Sequence, residues 1–232
     1  MIRPLSILFF ILVSPFAMAQ ELDYQEIDTN NVSSWFEKYP RAYAGVYRFG
    51  NSESESDLVI IYAKNTFVFQ ISQFEWNDSA SQFFNHYETL TNVKISNGKF
   101  ESDQYKGRFV YYLDGETKQM GLRINNPWTV GIENRTWELG LKSKHPFNCE
   151  GQYPEATTKF LYKSDLEKMS ILELKYMRNE IFARYGYIFR AGGKIDEHFK
   201  ETNWYRPQHK NVDGFLTPIE KKNVELIQSL EK

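Results

Sequence analysis

The sequence predicts an α+β protein with segregated parts: an N-terminal antiparallel β meander, barrel-like and of about eight strands, followed by a small three-helix domain. Three observations predict this. Hydrophobic residues recur with period two from Tyr43 to Leu141, and helical spacing takes over after residue 159. Between them, a stretch with Pro146, Gly151 and Pro154 lacks any period. The expected division is residues 20–142 for the β part, 143–158 for a linker and 159–232 for the helices, the two parts folding separately.

The first residues carry one basic side chain, Arg3, then an apolar run from Leu5 to Phe16 and the small-residue pattern Ala17-Met18-Ala19 before Gln20. That pattern reads as a signal peptide over residues 1–19, since a membrane-spanning helix needs roughly 20 apolar residues. Gln20 stands where a lipoprotein would carry Cys, so the expected mature chain is exported, soluble and unanchored, in the periplasm or outside the cell. No later stretch is apolar enough to span a membrane. Cys149 is the single cysteine of the chain. It has no internal partner and is expected to be buried or to bond another chain. From Lys159 onward there are 14 basic and 11 acidic residues, against 13 and 19 over residues 20–158. This balance argues against nucleic acid and favours an anionic partner, if any, for the C-terminal part.

Along the chain, Trp35, Phe36 and Tyr39 ahead of Pro40 predict a short helix or plug over one end of the sheet. Leu58, Ile60 and Tyr62 alternate with Val59 and Ile61, turn at Lys64-Asn65, and continue as Phe67, Phe69 and Ile71. Asn97-Gly98 and Asp114-Gly115 supply the positive φ of two-residue hairpin turns. The first sets Val93 and Ile95 against Phe100; the second sets Phe109, Tyr111 and Leu113 against Met120, Leu122 and Ile124. Trp137–Leu141 is expected to pair with residues 129–132. Phe83, Phe84 and Tyr87 lie at helical spacing, predicting a helix or lid within residues 76–89. The Tyr43-Ala44-Gly45-Val46-Tyr47 segment resembles the start of lipocalin-like barrels, and the expected interior is filled by side chains.

In the C-terminal part, Ser170 and Glu173 form a capping box, and Leu174, Met177, Ile181 and Tyr185 share one helical face. Gly186 supplies the left-handed residue that ends this helix. Ile195 and Phe199 mark a second helix. Thr217, Pro218 and Glu220 start a third, continued by Val224, Ile227 and Glu231.

This unit resembles the YARHG domain, a bacterial family held to be extracellular and without a settled activity. The resemblance rests on Arg178-Asn179-Glu180-Ile181, on Phe182-Ala183-Arg184-Tyr185-Gly186, on Asn203-Trp204-Tyr205-Arg206-Pro207 and on Ile219-Glu220-Lys221-Lys222-Asn223. Phe182 replaces the tyrosine of the name-giving motif and Tyr185 its histidine. The resemblance therefore implies a structural or binding role here rather than histidine chemistry.

The candidate binding residues are Arg178, Asn179, Glu180, Arg184, Tyr185, Trp204, Tyr205 and Arg206. Glu180 and Arg184 stand four apart, the spacing of an intrahelical ion pair. Asn179 can bond a loop carbonyl and Arg178 an acid on another element, or the two arginines can clasp a carboxylate or phosphate. Trp204 and Tyr205 either stack on a sugar or pack over the core, and packing is favoured. The sequence carries no phosphate loop, paired-histidine zinc motif or nucleophile elbow, so no catalytic residue, metal or cofactor is assigned. His145 and Cys149 lie in the linker, without a scaffold to hold a nucleophile and its base. His86, His198 and His209 read as separate surface residues. The expected function is a non-enzymatic envelope binding or scaffold protein meeting cell-wall glycan or an envelope protein. The alternative is a wall-active hydrolase or its modulator, which needs two carboxylates flanking a cleft about 5–9.5 Å apart.

Overall fold

The computed structural model describes residues 28–50, 55–76, 83–129 and 136–231. The expected signal peptide and most of the expected 129–132 strand lie outside these residues. Among the described residues, one ten-stranded antiparallel sheet accounts for the N-terminal part. Its strands are β1 (Val32–Ser34), β2 (Gly45–Phe49), β3 (Ser56–Ala63), β4 (Thr66–Trp76), β5 (Phe83–Thr89), β6 (Lys94–Ser96), β7 (Lys99–Glu101), β8 (Lys106–Asp114), β9 (Thr117–Asn125) and β10 (Trp137–Lys142). Their order is β5-β4-β3-β2-β10-β9-β8-β7-β6, with β1 added on β8. Two meanders thus meet where β2 pairs with β10.

The two edge strands β5 and β6 are consecutive in the chain, joined by residues 90–93 alone. So short a link is possible only because the sheet curls until its edges approach, giving a half-barrel. Leu90 N–H donates to Phe69 O, and Asp103 N–H donates to Thr91 O, fastening the crossing. The inside is filled, as expected: Trp35, Tyr47, Phe49, Phe69, Phe100 and Phe109 are among its fully buried side chains. Trp35 forms the plug, stacked edge-on against Phe109, while Phe36 and Tyr39 remain exposed.

Turn chemistry sets the register. Lys64-Asn65 and Asn97-Gly98 each place two residues at positive φ between paired strand ends, the signature of a primed turn. Ile95 faces Phe100, Phe109 faces Leu122 and Tyr111 faces Met120. The second hairpin turns one residue later than expected, at Gly115-Glu116, so Leu113 meets Lys118.

One expectation fails. Residues 83–89 form the edge strand β5, not a helix. Phe84 and His86 pack on His209 and Phe215 while Tyr87 packs on Tyr185, so both faces of this strand meet apolar partners and its alternation is masked. Trp137–Lys142 pairs with β9 and β2.

The helical part comprises one-turn helices α1 (Glu155–Thr158) and α2 (Lys163–Leu166), then α3 (Ile171–Arg184), α4 (Lys194–Lys200) and α5 (Pro218–Leu230). Both predicted capping boxes are present, Ser170 with Glu173 and Thr217 with Glu220. Leu174, Met177, Ile181 and Tyr185 share one buried cluster. At the C-terminus of α3, Gly186 has φ +71°. Its N–H donates to Ala183 O and that of Tyr187 to Phe182 O, the paired bonds of a glycine-ended helix.

The helices cover the outer face of β3–β5. Ile61, Ala63 and Val68, which alternate with core-facing Ile60 and Phe69, pack against Ile219 of α5 and against Phe160. Two-sided burial explains why β3 reads as a continuous apolar run.

Candidate functional site

The junction between sheet and helices is organised by two buried carboxylates. Glu180, on the inner face of α3, is 2% exposed. Its carboxylate accepts the N–H groups of Gln152 and Tyr153 at 2.8 and 2.7 Å and pairs with Arg184. Gly151 makes this approach possible, since a Cβ there would lie 2.4 Å from the carboxyl carbon and its φ is +111°. Arg184 is also fully engaged, with Nε donating to Glu150 O at 2.7 Å and Nη1 to Thr157 Oγ1 at 2.9 Å.

Glu220 is wholly buried at the start of α5. Besides capping its helix through Thr217, it accepts from Thr157 Oγ1 at 2.8 Å and lies 2.7 Å from the Tyr185 hydroxyl. Gln70 of β4 completes the chain. Its amide nitrogen donates to Phe215 O and Thr89 Oγ1, which turns its oxygen toward Tyr185 at 3.1 Å. The Tyr185 hydroxyl lies within hydrogen-bond distance of both Glu220 and Gln70, which share its single proton. Burial pushes the Glu220 carboxyl up, against the bonds from Tyr185, Thr217 and Thr157 that lower it. Burial first, and then neighbouring Glu220, hold the Tyr185 hydroxyl well above the usual tyrosine range. A continuous path Glu180–Arg184–Thr157–Glu220–Tyr185–Gln70 thus ties helices to sheet.

Above this path lies a cleft of about 380 Å³ between the outer sheet face and the helical part. The sheet contributes Asp57, Gln70, Asn85 and Tyr87, and the helical part Cys149, Arg184, Tyr185, Trp204, Arg206 and Glu220. Four of the eight sequence candidates, Arg184, Tyr185, Trp204 and Arg206, therefore meet at one opening. The other four are elsewhere. Arg178 bonds Glu231, the residue that caps α5, at 3.1 Å, the expected acid on another element. Asn179 donates not to a loop but to Lys175 O in its own helix, a consequence of its half-exposed position on α3. Tyr205 is 5% exposed, packs on Phe189 and Phe199, and donates to Tyr187 O at 2.7 Å. Trp204 packs one side on Phe199, leaving it half-buried at the rim, while Arg206 is exposed.

Cys149 also lines the cleft, half-buried, and burial pushes its thiol up despite the pull of Arg184. A raised thiol is a poor nucleophile. His145 is exposed in the loop after β10. The other histidines are not simple surface residues: His198 stacks on Tyr176, and His209 bonds Asn85 O at 2.8 Å, joining the helical part to β5. Gln70, Asp57 and Asn85 on three strands and Thr157 on the one-turn helix α1 were missed as site residues because they carry no local motif and lie far apart in sequence.

Among the described residues, no helix is long and apolar enough to cross a membrane, and no group of three metal-binding side chains is assembled. No curated protein and no solved structure matches the chain. The family model of the YARHG domain does match, over residues 151–232, a span that begins at the glycine over Glu180 and takes in the whole buried network on the helical side: this chain ends in a YARHG domain.

Proposed function

We propose that this is an exported, non-enzymatic binding or scaffold protein of the bacterial envelope. It holds cell-wall material in the cleft between its sheet and its YARHG domain. The carrying observation is the division of labour among the motif residues. Glu180, with Arg184 and two backbone N–H groups on its oxygens, holds the fold, whereas Trp204 and Arg206 stand at the cleft rim. A hydrolase of glycans needs carboxylates free to meet substrate. Glu180 and Glu220 are instead buried and committed to internal partners. An aromatic face beside a guanidinium suits a sugar bearing an anionic group, and the extracellular type of the YARHG domain suits such a partner.

The test is co-sedimentation with isolated peptidoglycan. Wild type is expected to sediment with the wall, and Trp204→Ala and Arg206→Ala to remain in solution with unchanged circular dichroism. Equal sedimentation of all three overturns the cleft assignment, and release of soluble fragments from the wall by wild type overturns the non-enzymatic one.

A further inference from the structure

Far from the cleft, the outer face of the sheet carries cations in register. Lys99 of β7 lies opposite Arg108 of β8, and Arg108 lies opposite Arg123 of β9. Each neighbours a core-facing residue, Phe100, Phe109 or Leu122, so all three side chains point outward. Strands lie about 4.8 Å apart, which sets the spacing of the row. Like charges placed directly opposite destabilise a sheet, so this arrangement is a cost to the fold. Glu101, in the same groove, is paired with Lys106 at 3.7 Å rather than with the row.

Arg123 adds a second observation. Its guanidinium carbon lies 4.5 Å from the centre of the Trp137 ring, which covers one face of the group, while its Nε is buried without a hydrogen-bond partner among the described residues. The row lines a groove of about 420 Å³, walled on one side by β1 with Ser33 and Ser34. With Lys99, Lys106, Arg108 and Arg123 against Glu101, the described residues give the groove a charge of +3.

We infer that this groove binds a soluble ligand carrying two or more phosphate groups. A phosphate offers three oxygens that donors from adjacent strands can share, whereas a planar carboxylate is satisfied by one guanidinium. A walled groove of this size suits a small molecule, and a flat lipid surface does not enter it. Binding neutralises the row, in which the Trp137 ring holds the Arg123 guanidinium. It is independent of the cleft.

Inorganic triphosphate is the probe, titrated calorimetrically into the purified protein. The expected result is saturable binding that weakens as salt rises and falls about tenfold or more in Arg108→Gln and Arg123→Gln, as loss of a charge-assisted contact predicts. Trp204→Ala is expected to bind as wild type. Triphosphate should raise the melting temperature of wild type by more than that of Arg108→Gln; Lys99→Gln provides a second exposed variant should Arg123→Gln fail to fold. Absence of saturable binding, or equal binding by the variants, overturns the inference. So does attachment to phosphatidylglycerol vesicles without triphosphate binding, which assigns the row to a membrane surface.

Discussion

The two halves of the outer sheet face were built to different rules. On β3 and β4, Val59, Ile61, Ala63 and Val68 point away from the barrel interior and are covered by the YARHG domain. On β7, β8 and β9, the corresponding positions are Lys99, Arg108 and Arg123, facing an open groove. Inward-facing residues are alike in both, so the outward residues alone decide whether a second layer forms. A strand apolar on both faces demands a cover, and a strand alternating apolar with cationic residues refuses one. The cover is not held by apolar contact alone, because Gln70 interrupts the apolar row and is bonded by Tyr185 and Phe215.

The largest expected effect comes from breaking the covered half. Arg184→Ala removes three donors and leaves the Glu180 carboxylate buried with only the Gln152 and Tyr153 N–H groups. Removal of one partner of a buried pair costs about 3–5 kcal/mol. Urea denaturation should show that loss, and a change under about 1 kcal/mol would refute the buried-network account. The same reasoning bears on where the helical unit starts. A fragment from residue 159 strands Glu180 by omitting Gln152 and Tyr153, so we propose that an autonomous unit begins before residue 151, where the family match begins.

A smaller effect is expected from pH. The Glu220 carboxyl is raised by burial above its ordinary value of 4.5. A carboxyl with a raised folded-state value contributes stability that is fully present below the unfolded value and is lost as pH rises through the folded one. Wild-type melting temperature should therefore decline as pH rises above about 4.5 through that window. Glu220→Gln cannot ionise, so its curve should lack that decline, and the wild-type advantage should be largest in acid and shrink toward neutral pH. Parallel curves would show that burial does not hold the Glu220 carboxyl above its ordinary value in the folded state.

Much of this contrast was legible in the sequence, and for physical reasons. Period two, primed-turn residues and two capping boxes are local signals, and the elements they mark at Lys64-Asn65, Asn97-Gly98, Ser170 and Thr217 are present. Residues 83–89 misled because an edge strand packed on both faces loses its alternation. The pairing of β10 with β2 joins residues nearly a hundred positions apart, beyond any local period. In the site, Glu180–Arg184 was readable because both lie on one helix. Glu220 was read as a helix cap, which it is, but its bonds to Thr157 and Tyr185 depend on three elements meeting. The row Lys99–Arg108–Arg123 was hidden for the same reason, since register across three strands is needed to see it.

The smallest expected effect lies in that row, and it sharpens the comparison most directly. If the open half carries an unrelieved repulsion, removing one cation without ligand should stabilise the protein, the opposite sign from any truncation on the covered half. Cross-strand pairs are worth roughly 0.2–1 kcal/mol, so Arg108→Gln should gain a few tenths of that order. A double-mutant cycle with Lys99→Gln isolates the pair: the two single gains should not add, because either substitution already removes the repulsion between Lys99 and Arg108. The coupling should shrink at high salt, where exposed charges are screened. Additive effects insensitive to salt would mean that the cations do not feel one another, and the argument that the row carries a cost to the fold would fall with them.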